Sequence, residues 1–375
     1  MRIVVSGGGT GGHIFPALAV CEGLTRREPD CELLYIGSAT GMETEIVPKA
    51  GVPFQGVTAR KLRKLVSLST VGVGLSLVRG WAEARRYLRA YRPDAVIGTG
   101  GYVAGAATLA GASLGIPTLI LAPDAIPGRT NRMLARFAQR ICVSFEETRV
   151  RFPAEKTIVT GLPLRAGAIA PAEIDPREAR CRFEGLAADR FTVLVIGGSQ
   201  GARALNEIVL EALPDLVGRG MQVLHQTGPK NIDDVRVKTR ALGLPSATGF
   251  CPVAFLNAEQ VPMAYRAADV IVCRGGMSTL SEVMANAVPA MIVPLPTAYA
   301  DHQTANAQIL AKRGAALCCP EFDLHPEGLL NKLMSLRETP GRLERMQDAS
   351  RAMGRPDAAD RVAELVANLN KAHAT

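Results

Sequence analysis

The chain has 375 residues, 47% hydrophobic and 21% charged, which fits two globular domains better than one. No apolar stretch is long enough to span a bilayer, and a strand is predicted from residue 2, so we expect no transmembrane segment and no cleavable signal peptide. The eight cysteines lack CxxC spacing, which favours reduced thiols in the cytosol over disulfides or a zinc site. A net charge of +8 is compatible with nucleic acid, an anionic membrane surface or an anionic ligand.

The first half of the chain alternates short apolar strands with helical stretches. In chain order the predicted elements cover 2–5, 16–27, 32–36, 42–50, 74–91, 95–98, 103–114 and 117–121, and the pattern resumes at 141–144 and 157–160. Such alternation is typical of a parallel sheet with helices on both faces.

A second alternating series begins near residue 191. Its predicted elements cover 192–196, 203–217, 221–225, 262–268, 269–273, 278–287, 289–294 and 303–313. Gly161 and Pro163 separate the two series, so we predict domains at 1–162 and 163–356. The predicted fold class is α/β, with two doubly wound, Rossmann-like parallel-sheet domains.

The last segment, 357–375, has apolar residues at the spacing of one helical face: Val362, Leu365, Val366 and Leu369. A helix here could cap the second domain or cross back onto the first. The spacing alone leaves both arrangements open.

A glycine-rich loop follows a predicted strand at three places, 7–13, 98–102 and 197–202, and a predicted helix follows each loop. Glycine lets backbone N–H groups approach an anion closely, and the positive end of the helix faces the same anion. Three such loops in two similar halves predict a phosphate-bearing ligand in a cleft between two domains.

The first loop also matches the dinucleotide pattern G-x-G-x-x-G at Gly7, Gly9 and Gly12. Dinucleotide binding further requires a carboxylate at the end of the second strand, and none ends the predicted strand at 33–36. A nicotinamide or flavin dehydrogenase is therefore disfavoured. The absence of G-x-x-x-x-G-K-[ST] argues against an NTPase.

His13 closes the first loop at a predicted helix N-terminus, before Pro16. Such a histidine could cap the helix and fill a gap. It could equally be a general base facing the cleft, because its ordinary pKa lies near physiological pH. Residue type alone does not separate these two interpretations.

Polar residues are concentrated between 273 and 316. Glu282 lies about one turn into a predicted helix, where its carboxylate could accept hydrogen bonds from two ribose hydroxyls, or could merely complement the helix dipole. Carboxylates and amides that suit sugar hydroxyls follow a later strand: Asp301, His302, Gln303 and Asn306. No second histidine or carboxylate lies at ligand spacing, so we predict no metal.

Taken in order, these motifs resemble the MurG family, the N-acetylglucosaminyltransferases that convert lipid I to lipid II in peptidoglycan synthesis. The matching stretches cover nearly the whole chain: 7–20, 100–103, 126–132, 197–203, 274–282 and 301–307. The resemblance implies a GT-B fold, in which the C-terminal helix returns to the first domain. It also implies a role in cell-wall biogenesis, cell shape and cell division.

The resemblance implies that the second domain binds UDP-N-acetylglucosamine, with Glu282 on the ribose, Ser199 and its loop on the diphosphate, and Arg274 beside the uridine. The residues it assigns to the donor are Thr10, Gly11, Gly12, Arg165, Ser199, Gln200, Gly201, Phe250, Cys251, Arg274, Met277, Thr279, Glu282, His302 and Gln303. Those it assigns to the lipid-linked acceptor and its pyrophosphate are Gly9, Gly100, Gly101 and Tyr102 on the first two loops, and Asp124 and Asn131 farther along the chain.

The expected reaction is inverting transfer to the C4 hydroxyl of the acceptor's muramyl sugar. His13 is our first choice as the base and Asp124 the second. Without an Asp-x-Asp motif, no obligatory metal or other cofactor is implied.

The chain departs from the family at 121–124, where Leu-Ala-Pro-Asp replaces the usual His-Glu-Gln-Asn, and at 161–163, where Gly-Leu-Pro replaces Gly-Asn-Pro. These differences fall mostly on the acceptor side, so the donor is the safer part of the prediction.

Basic and apolar residues are interleaved from Lys61 to Val66, and Val71, Val78 and Trp81 follow with several arginines close by. This pattern suits docking on anionic lipid, although a helix packed on the sheet with a solvated basic face would look similar. The cations lack interleaved stacking aromatics, so nucleic acid is disfavoured. The resemblance implies a peripheral position on the cytoplasmic face of the inner membrane and leaves other cell-wall synthesis enzymes open as partners.

Two further hypotheses stand beside this transferase. One is a related GT-B enzyme, either a transferase with another acceptor or a UDP-sugar epimerase. The other is a non-catalytic UDP-sugar binding protein.

Overall fold

The computed structural model describes residues 1–59, 69–243 and 249–373. The chain forms two compact units, one from Met1–Arg165 with Arg355–Thr375 and one from Ala166–Gly354. The predicted basic segment between Lys61 and Val66 lies outside the described residues.

The first unit contains a seven-stranded sheet in which every paired strand is parallel. Its strands are β1 (Arg2–Ser6), β2 (Glu32–Ser38), β3 (Phe54–Val57), β4 (Ala95–Gly98), β5 (Thr118–Ala122), β6 (Arg140–Val143) and β7 (Thr157–Val159). The strand order β3-β2-β1-β4-β5-β6-β7 reverses direction between β1 and β4. The helices of this part are α1 (Gly11–Arg27), α2 (Glu43–Lys49), α3 (Ser69–Tyr91), α4 (Gly101–Ser113), α5 (Arg129–Leu134) and α6 (Glu146–Arg149).

The second unit repeats this design with six parallel strands in the order β10-β9-β8-β11-β12-β13. The strands are β8 (Phe191–Ile196), β9 (Met221–Gln226), β10 (Phe250–Val253), β11 (Val270–Cys273), β12 (Ala290–Ile292) and β13 (Ala316–Cys318). The helices are α7 (Pro176–Cys181), α8 (Arg203–Gly218), α9 (Ile232–Ala241), α10 (Gln260–Ala267), α11 (Met277–Ala285), α12 (His302–Lys312), α13 (Pro326–Glu338) and α14 (Arg342–Met353).

The central strands are mostly apolar in their interiors because helices cover both faces of each sheet. Ile3, Val4 and Val5 on β1 are all fully buried, as are Val270, Ile271 and Val272 on β11. The predicted doubly wound parallel sheets are therefore confirmed. The sequence patterns missed the strands β3, β10 and β13 and the helices α5, α6, α9, α13 and α14.

The last helix, α15 (Ala358–His373), packs on α1 in the first unit. Val362, Ala363 and Val366 are fully buried in the core that also contains Leu18 of α1. A Cβ on Gly23 of α1 would lie 2.8 Å from the Ala359 carbonyl oxygen, so the glycine permits this close helix contact. Within the described part of the chain, no helix is long and apolar enough to cross a membrane.

His225 on β9 is a fully buried imidazole whose Nε2 lies 3.0 Å from Oδ1 of Asn206. Burial lowers its pKa to about 3, against an ordinary 6.5. Below pH 6.5 the histidine is protonated in the unfolded chain but stays neutral in the folded chain. The free energy of unfolding is therefore unaffected by this group above pH 6.5 and decreases as the pH falls below 6.5.

We expect each pH unit below 6.5 to remove about 1.4 kcal/mol of stability through His225. The loss in unfolding free energy between pH 7 and pH 5, measured with urea, should be about 2 kcal/mol smaller in His225→Gln than in the wild type. His325→Gln, at an exposed position of the same unit, is the matched control. Equal pH dependence in all three proteins would contradict the assignment.

Candidate functional site

Each sheet has a point where the strand order reverses, and the glycine-rich segments gather there. The loops after β1 and β4, which are neighbouring strands, contain Gly7–His13 and Gly98–Tyr102. In the second unit, the loop at 197–202 follows β8 and Gly275 follows its neighbour β11. Parallel α/β sheets bind ligands at this edge, outside the carboxyl ends of the strands.

Side chains from neighbouring strands hold the backbone of the first loop. The Tyr35 hydroxyl on β2 donates to the Gly7 carbonyl at 2.9 Å, and the Thr99 hydroxyl donates to the His13 carbonyl at 2.7 Å. Gly100 has φ +112, and a Cβ there would lie 2.5 Å from Nδ1 of His13. The second loop is thus fitted to the imidazole of the first, and both approach closely because they carry glycine.

His13 lies in the first turn of α1 and is half-buried. Its Nδ1 atom is buried and has no hydrogen-bond partner among the residues that the structure describes. Burial lowers the pKa of the imidazole below 6.5, although the charges of Asp124 and Glu43 act in the opposite direction. At neutral pH the ring is therefore uncharged and able to accept a proton.

Glu43 is a buried carboxylate that the sequence patterns did not single out. It is the first residue of α2, is fully buried, and accepts hydrogen bonds from the N–H groups of Ser38 at 3.0 Å and Gly9 at 3.4 Å. A Cβ on Gly8 would lie 2.2 Å from its Oε1, and one on Gly41 would lie 2.3 Å from Oε2. The glycines therefore make room for a charged group beneath the first loop.

The residues at the end of β5 support the same edge. Asn131 on α5 donates from Nδ2 to the Leu121 carbonyl at 3.0 Å, so its side-chain amide stabilises the end of the strand. Asp124 follows that strand, is half-buried, and lies close enough to His13 to raise the pKa of the imidazole. Tyr102, at the start of α4, lies beside Gly9, whose Cβ would come within 3.0 Å of the ring.

Removing the Glu43 carboxylate should loosen the first loop. We expect Glu43→Ala to lower the urea unfolding free energy by about 1–3 kcal/mol, because the buried N–H group of Ser38 loses its acceptor and the exposed Gly9 loses a hydrogen bond. Glu45→Ala, at an exposed position of the same helix, should change it by less than about 0.5 kcal/mol. Equal effects of the two substitutions would contradict this role.

The third loop leaves its polar side chains open to solvent. Ser199 and Gln200 are exposed, and Gly201 has φ +76 with the Thr227 carbonyl 2.1 Å from the position of a Cβ. The helix that follows, α8, begins at Arg203, and its N-cap residue makes no side-chain cap. Its first N–H groups therefore depend on water or a ligand for partners.

One outward face of α11 combines Thr279 with Glu282, three residues later, and both are half-buried. Met277 begins the helix but is buried. Oε2 of Glu282 accepts a hydrogen bond of 2.8 Å from the hydroxyl of Tyr265. The sequence patterns did not include Tyr265, which lies on α10, seventeen positions earlier.

Arg274 is more deeply placed than the resemblance implies. It is 8% exposed and forms an ion pair with Glu321, and its Nη1 donates to the carbonyls of Val293 and Pro294 at 3.2 and 3.4 Å. The guanidinium thus ties together the chain after β11, β12 and β13. Its charge is neutralised within the protein.

The segment at the start of α12 has an unusual backbone. Ala300 and Asp301 have φ +50 and +54, the left-handed region that costs non-glycine residues about 1–3 kcal/mol each. Nδ1 of His302 lies 2.8 Å from the Tyr299 carbonyl oxygen. Oε1 of Gln303 accepts from the N–H groups of Gly275 and Leu295 at 3.1 and 3.0 Å, so this amide joins the loops after β11 and β12.

The remaining predicted donor residues belong to different units. Phe250 and Cys251 lie on β10, an edge strand with one backbone edge not paired to another strand of the sheet. Arg165 belongs to the first unit, where its guanidinium carbon lies 4.4 Å from the centroid of the Phe15 ring.

In the described ranges, no group of three or more His, Cys, Asp or Glu side chains is arranged to hold a metal ion.

Comparison with known proteins gives matches to both halves of the chain. Residues 3–143 match the glycosyltransferase family 28 N-terminal domain, and residues 192–362 match the glycosyltransferase family 28 C-terminal domain. The combination agrees with the two doubly wound units.

Relatives match over nearly their full length. Proteins of Desulforudis audaxviator and Desulfitobacterium hafniense are 38% and 40% identical, with 98% and 97% of this chain and 98% of each relative covered. Both are named UDP-N-acetylglucosamine–N-acetylmuramyl-(pentapeptide) pyrophosphoryl-undecaprenol N-acetylglucosamine transferase. The crystal structure of Acinetobacter baumannii MurG is similar with a TM-score of 0.77 at 32% identity, over 98% of this chain and 99% of that one. The GT-B fold class is thereby confirmed.

Proposed function

Because the chain belongs to glycosyltransferase family 28 and, within it, to the MurG family, we propose that it transfers N-acetylglucosamine from UDP-N-acetylglucosamine to a lipid-linked acceptor. The acceptor is undecaprenyl-pyrophosphoryl-N-acetylmuramyl-pentapeptide, and the new bond forms at the C4 hydroxyl of its muramyl sugar. The observation that carries the proposal is the full-length similarity to transferases of that name. No metal or other cofactor is part of it.

In this proposal the second unit binds the donor. The N–H groups of the loop at 197–202 and of the α8 N-terminus receive the diphosphate, with Ser199 and Gln200 beside it. Glu282 accepts hydrogen bonds from the ribose hydroxyls, next to Met277 and Thr279. The backbone at Phe250 and Cys251 faces the uracil, and Arg165 lies near the nucleotide.

The sugar of the donor lies against the start of α12. Gln303 offers its amide NH₂ group, because its Oε1 is already bonded to two backbone N–H groups. His302 offers Nε2, because its Nδ1 lies against the Tyr299 carbonyl. Arg274 acts by holding the loops in place, since its guanidinium is paired with Glu321.

The acceptor lies against the first unit, on the loops at 7–13 and 98–102. Gly9, Gly100 and Gly101 offer close backbone approach to its pyrophosphate, beside Tyr102 and Asn131. We propose that Thr10, the N-cap residue of α1, and Gly11 and Gly12 in its first turn also contact the donor.

The chemical step is a single displacement at the anomeric carbon. The acceptor oxygen forms a bond to this carbon as its proton passes to His13, and the bond to UDP breaks on the opposite face, which inverts the configuration. Negative charge grows on the leaving diphosphate, where fixed N–H groups of the third loop stabilise it. Asp124 and Glu43 favour the imidazolium that forms.

Replacing the base should stop turnover without affecting donor binding. We expect His13→Ala to lower kcat by about 10²–10⁴-fold with a lipid I analogue as acceptor. UDP affinity, measured by calorimetry, should stay within about twofold of the wild type. A variant with normal kcat would exclude His13 as the base.

The pH–rate profile separates His13 from Asp124. Because burial holds the pKa of His13 below 6.5, the acid limb of kcat/KM should lie below pH 6.5. Asp124→Asn removes a charge that raises this pKa, so the acid limb should move to lower pH while turnover continues. Loss of all turnover in Asp124→Asn at every pH would instead identify Asp124 as the base.

Glu282→Gln should weaken the donor. The loss of a charged acceptor for the ribose should reduce UDP affinity about tenfold or more in calorimetry. Glu338→Gln, at an exposed position on α13, should leave the affinity unchanged. Unaltered affinity in Glu282→Gln would remove the ribose assignment.

We also propose that the protein docks peripherally on anionic lipid at the cytoplasmic face of the inner membrane, where its acceptor resides. One exposed apolar side chain in the described part of α3 supports this: Val78 is 61% exposed, and the neighbouring Arg79 is exposed too. Trp81 packs against the core of the first unit, and the Arg85 guanidinium lies 5.5 Å from its ring centroid. Apolar side chains flanked by cations bind anionic membrane surfaces.

One incubation distinguishes the proposed reaction from its alternatives. With UDP-N-acetylglucosamine and a lipid I analogue, UDP should be released only when both are present. Release with a different acceptor would indicate a related transferase, and conversion of the donor alone would indicate an epimerase. Donor binding without turnover would indicate a binding protein.

A further inference from the structure

A buried tyrosine donates a hydrogen bond to the predicted ribose-binding carboxylate. Tyr265 on α10 is 2% exposed, and its hydroxyl donates the 2.8 Å hydrogen bond to Oε2 of Glu282. Glu282 itself is half-buried, on the outward face of α11. The bond therefore joins a buried donor to the carboxylate of a half-buried residue.

We propose that Tyr265 is a positioning residue for donor recognition, whose hydroxyl orients the Glu282 carboxylate toward the ribose hydroxyls of the UDP-sugar. This inference rests on the proposed function, in which Glu282 holds the ribose. Tyr265 does not touch the substrate, and it acts only through Glu282.

The geometry explains why such a contact matters. A glutamate side chain has several rotatable bonds, and its freedom must be lost when it binds a ligand. A charge-assisted O–H···O bond from a buried donor removes part of that freedom before the ligand arrives. Burial and the neighbouring carboxylate raise the pKa of Tyr265 well above 10, so its hydroxyl keeps the proton that it donates.

The same contact makes Tyr265 a determinant of specificity for the ribose of the donor nucleotide. Each ribose hydroxyl can donate one hydrogen bond to a carboxylate oxygen. A site built around such bonds discriminates strongly against an analogue without the hydroxyl, since its own polar group is then left unpaired. A carboxylate that has lost the hydrogen bond from Tyr265 is held less firmly and discriminates less.

Tyr265→Phe tests this role by removing a single oxygen atom. We expect the KM for UDP-N-acetylglucosamine to rise about tenfold while kcat changes less than about threefold, because the contact affects bound donor and transition state alike. The preference for this donor over its 2′-deoxy and 3′-deoxy analogues, measured as a ratio of kcat/KM, should fall about tenfold. Tyr91→Phe, in the first unit, is the matched control, because it removes a buried hydroxyl that has no hydrogen-bond partner in the described part of the chain.

A double-mutant cycle separates positioning from packing. In a Glu282→Gln background, Tyr265→Phe should raise the KM by less than about twofold, because its effect passes through the carboxylate. If the two substitutions multiply the KM independently, the proposal is overturned. An unchanged KM and donor preference in a Tyr265→Phe variant with the melting temperature of the wild type would overturn it as well.

The wild-type protein distinguishes this proposal from the proposed function. If wild-type protein fails to bind UDP-N-acetylglucosamine, the proposed function fails. A normal wild type beside an unaffected Tyr265→Phe overturns this inference alone.

Discussion

The arrangement of the candidate site depends on one constraint, the parallel direction of all paired strands in each sheet. Parallel strands bring their carboxyl ends to one edge, and the order of strands reverses beside β1 and beside β8. Loops that are about ninety residues apart in sequence, at Gly7 and Gly98, consequently follow neighbouring strands. The glycines allow close approach, but the strand order determines which glycines meet.

A second group of polar contacts turns these loops into defined surfaces. Tyr35, Thr99 and Glu43 bind the backbone of the first loop, and Arg274 and Gln303 bind the loops of the second unit. Most of these side chains are buried, so most of the groups that hold the loops are inaccessible to a ligand. The half-buried Gln303 amide is the one proposed to do both. A buried polar atom without its partner is costly, which gives each loop a strongly preferred conformation.

The parts of the fold that could be predicted are those with a repeating apolar pattern. The interiors of the central strands are apolar runs, and helices such as α8 repeat apolar residues on one face, so the patterns predict most of these elements to within a few residues. By contrast β3, β10 and β13 are edge strands in which most residues are only partly buried. The interactions of Glu43 and Tyr265 were not predictable, because each depends on which distant residues meet in the folded chain. No local pattern indicates that Glu43 will be fully buried. Likewise, the sequence around Arg274 does not predict its ion pair with Glu321, forty-seven positions later.

The return of α15 to the first unit has a consequence for the covalent chain. The second unit is one continuous segment inserted into the first between residues 165 and 355. The polypeptide therefore passes from one unit to the other twice. The second unit can be cut out as a single piece, whereas a fragment that stops at residue 165 lacks Val362, Ala363 and Val366 and exposes the apolar surface of α1 that they cover. During synthesis, the first unit to begin is consequently the last to be completed.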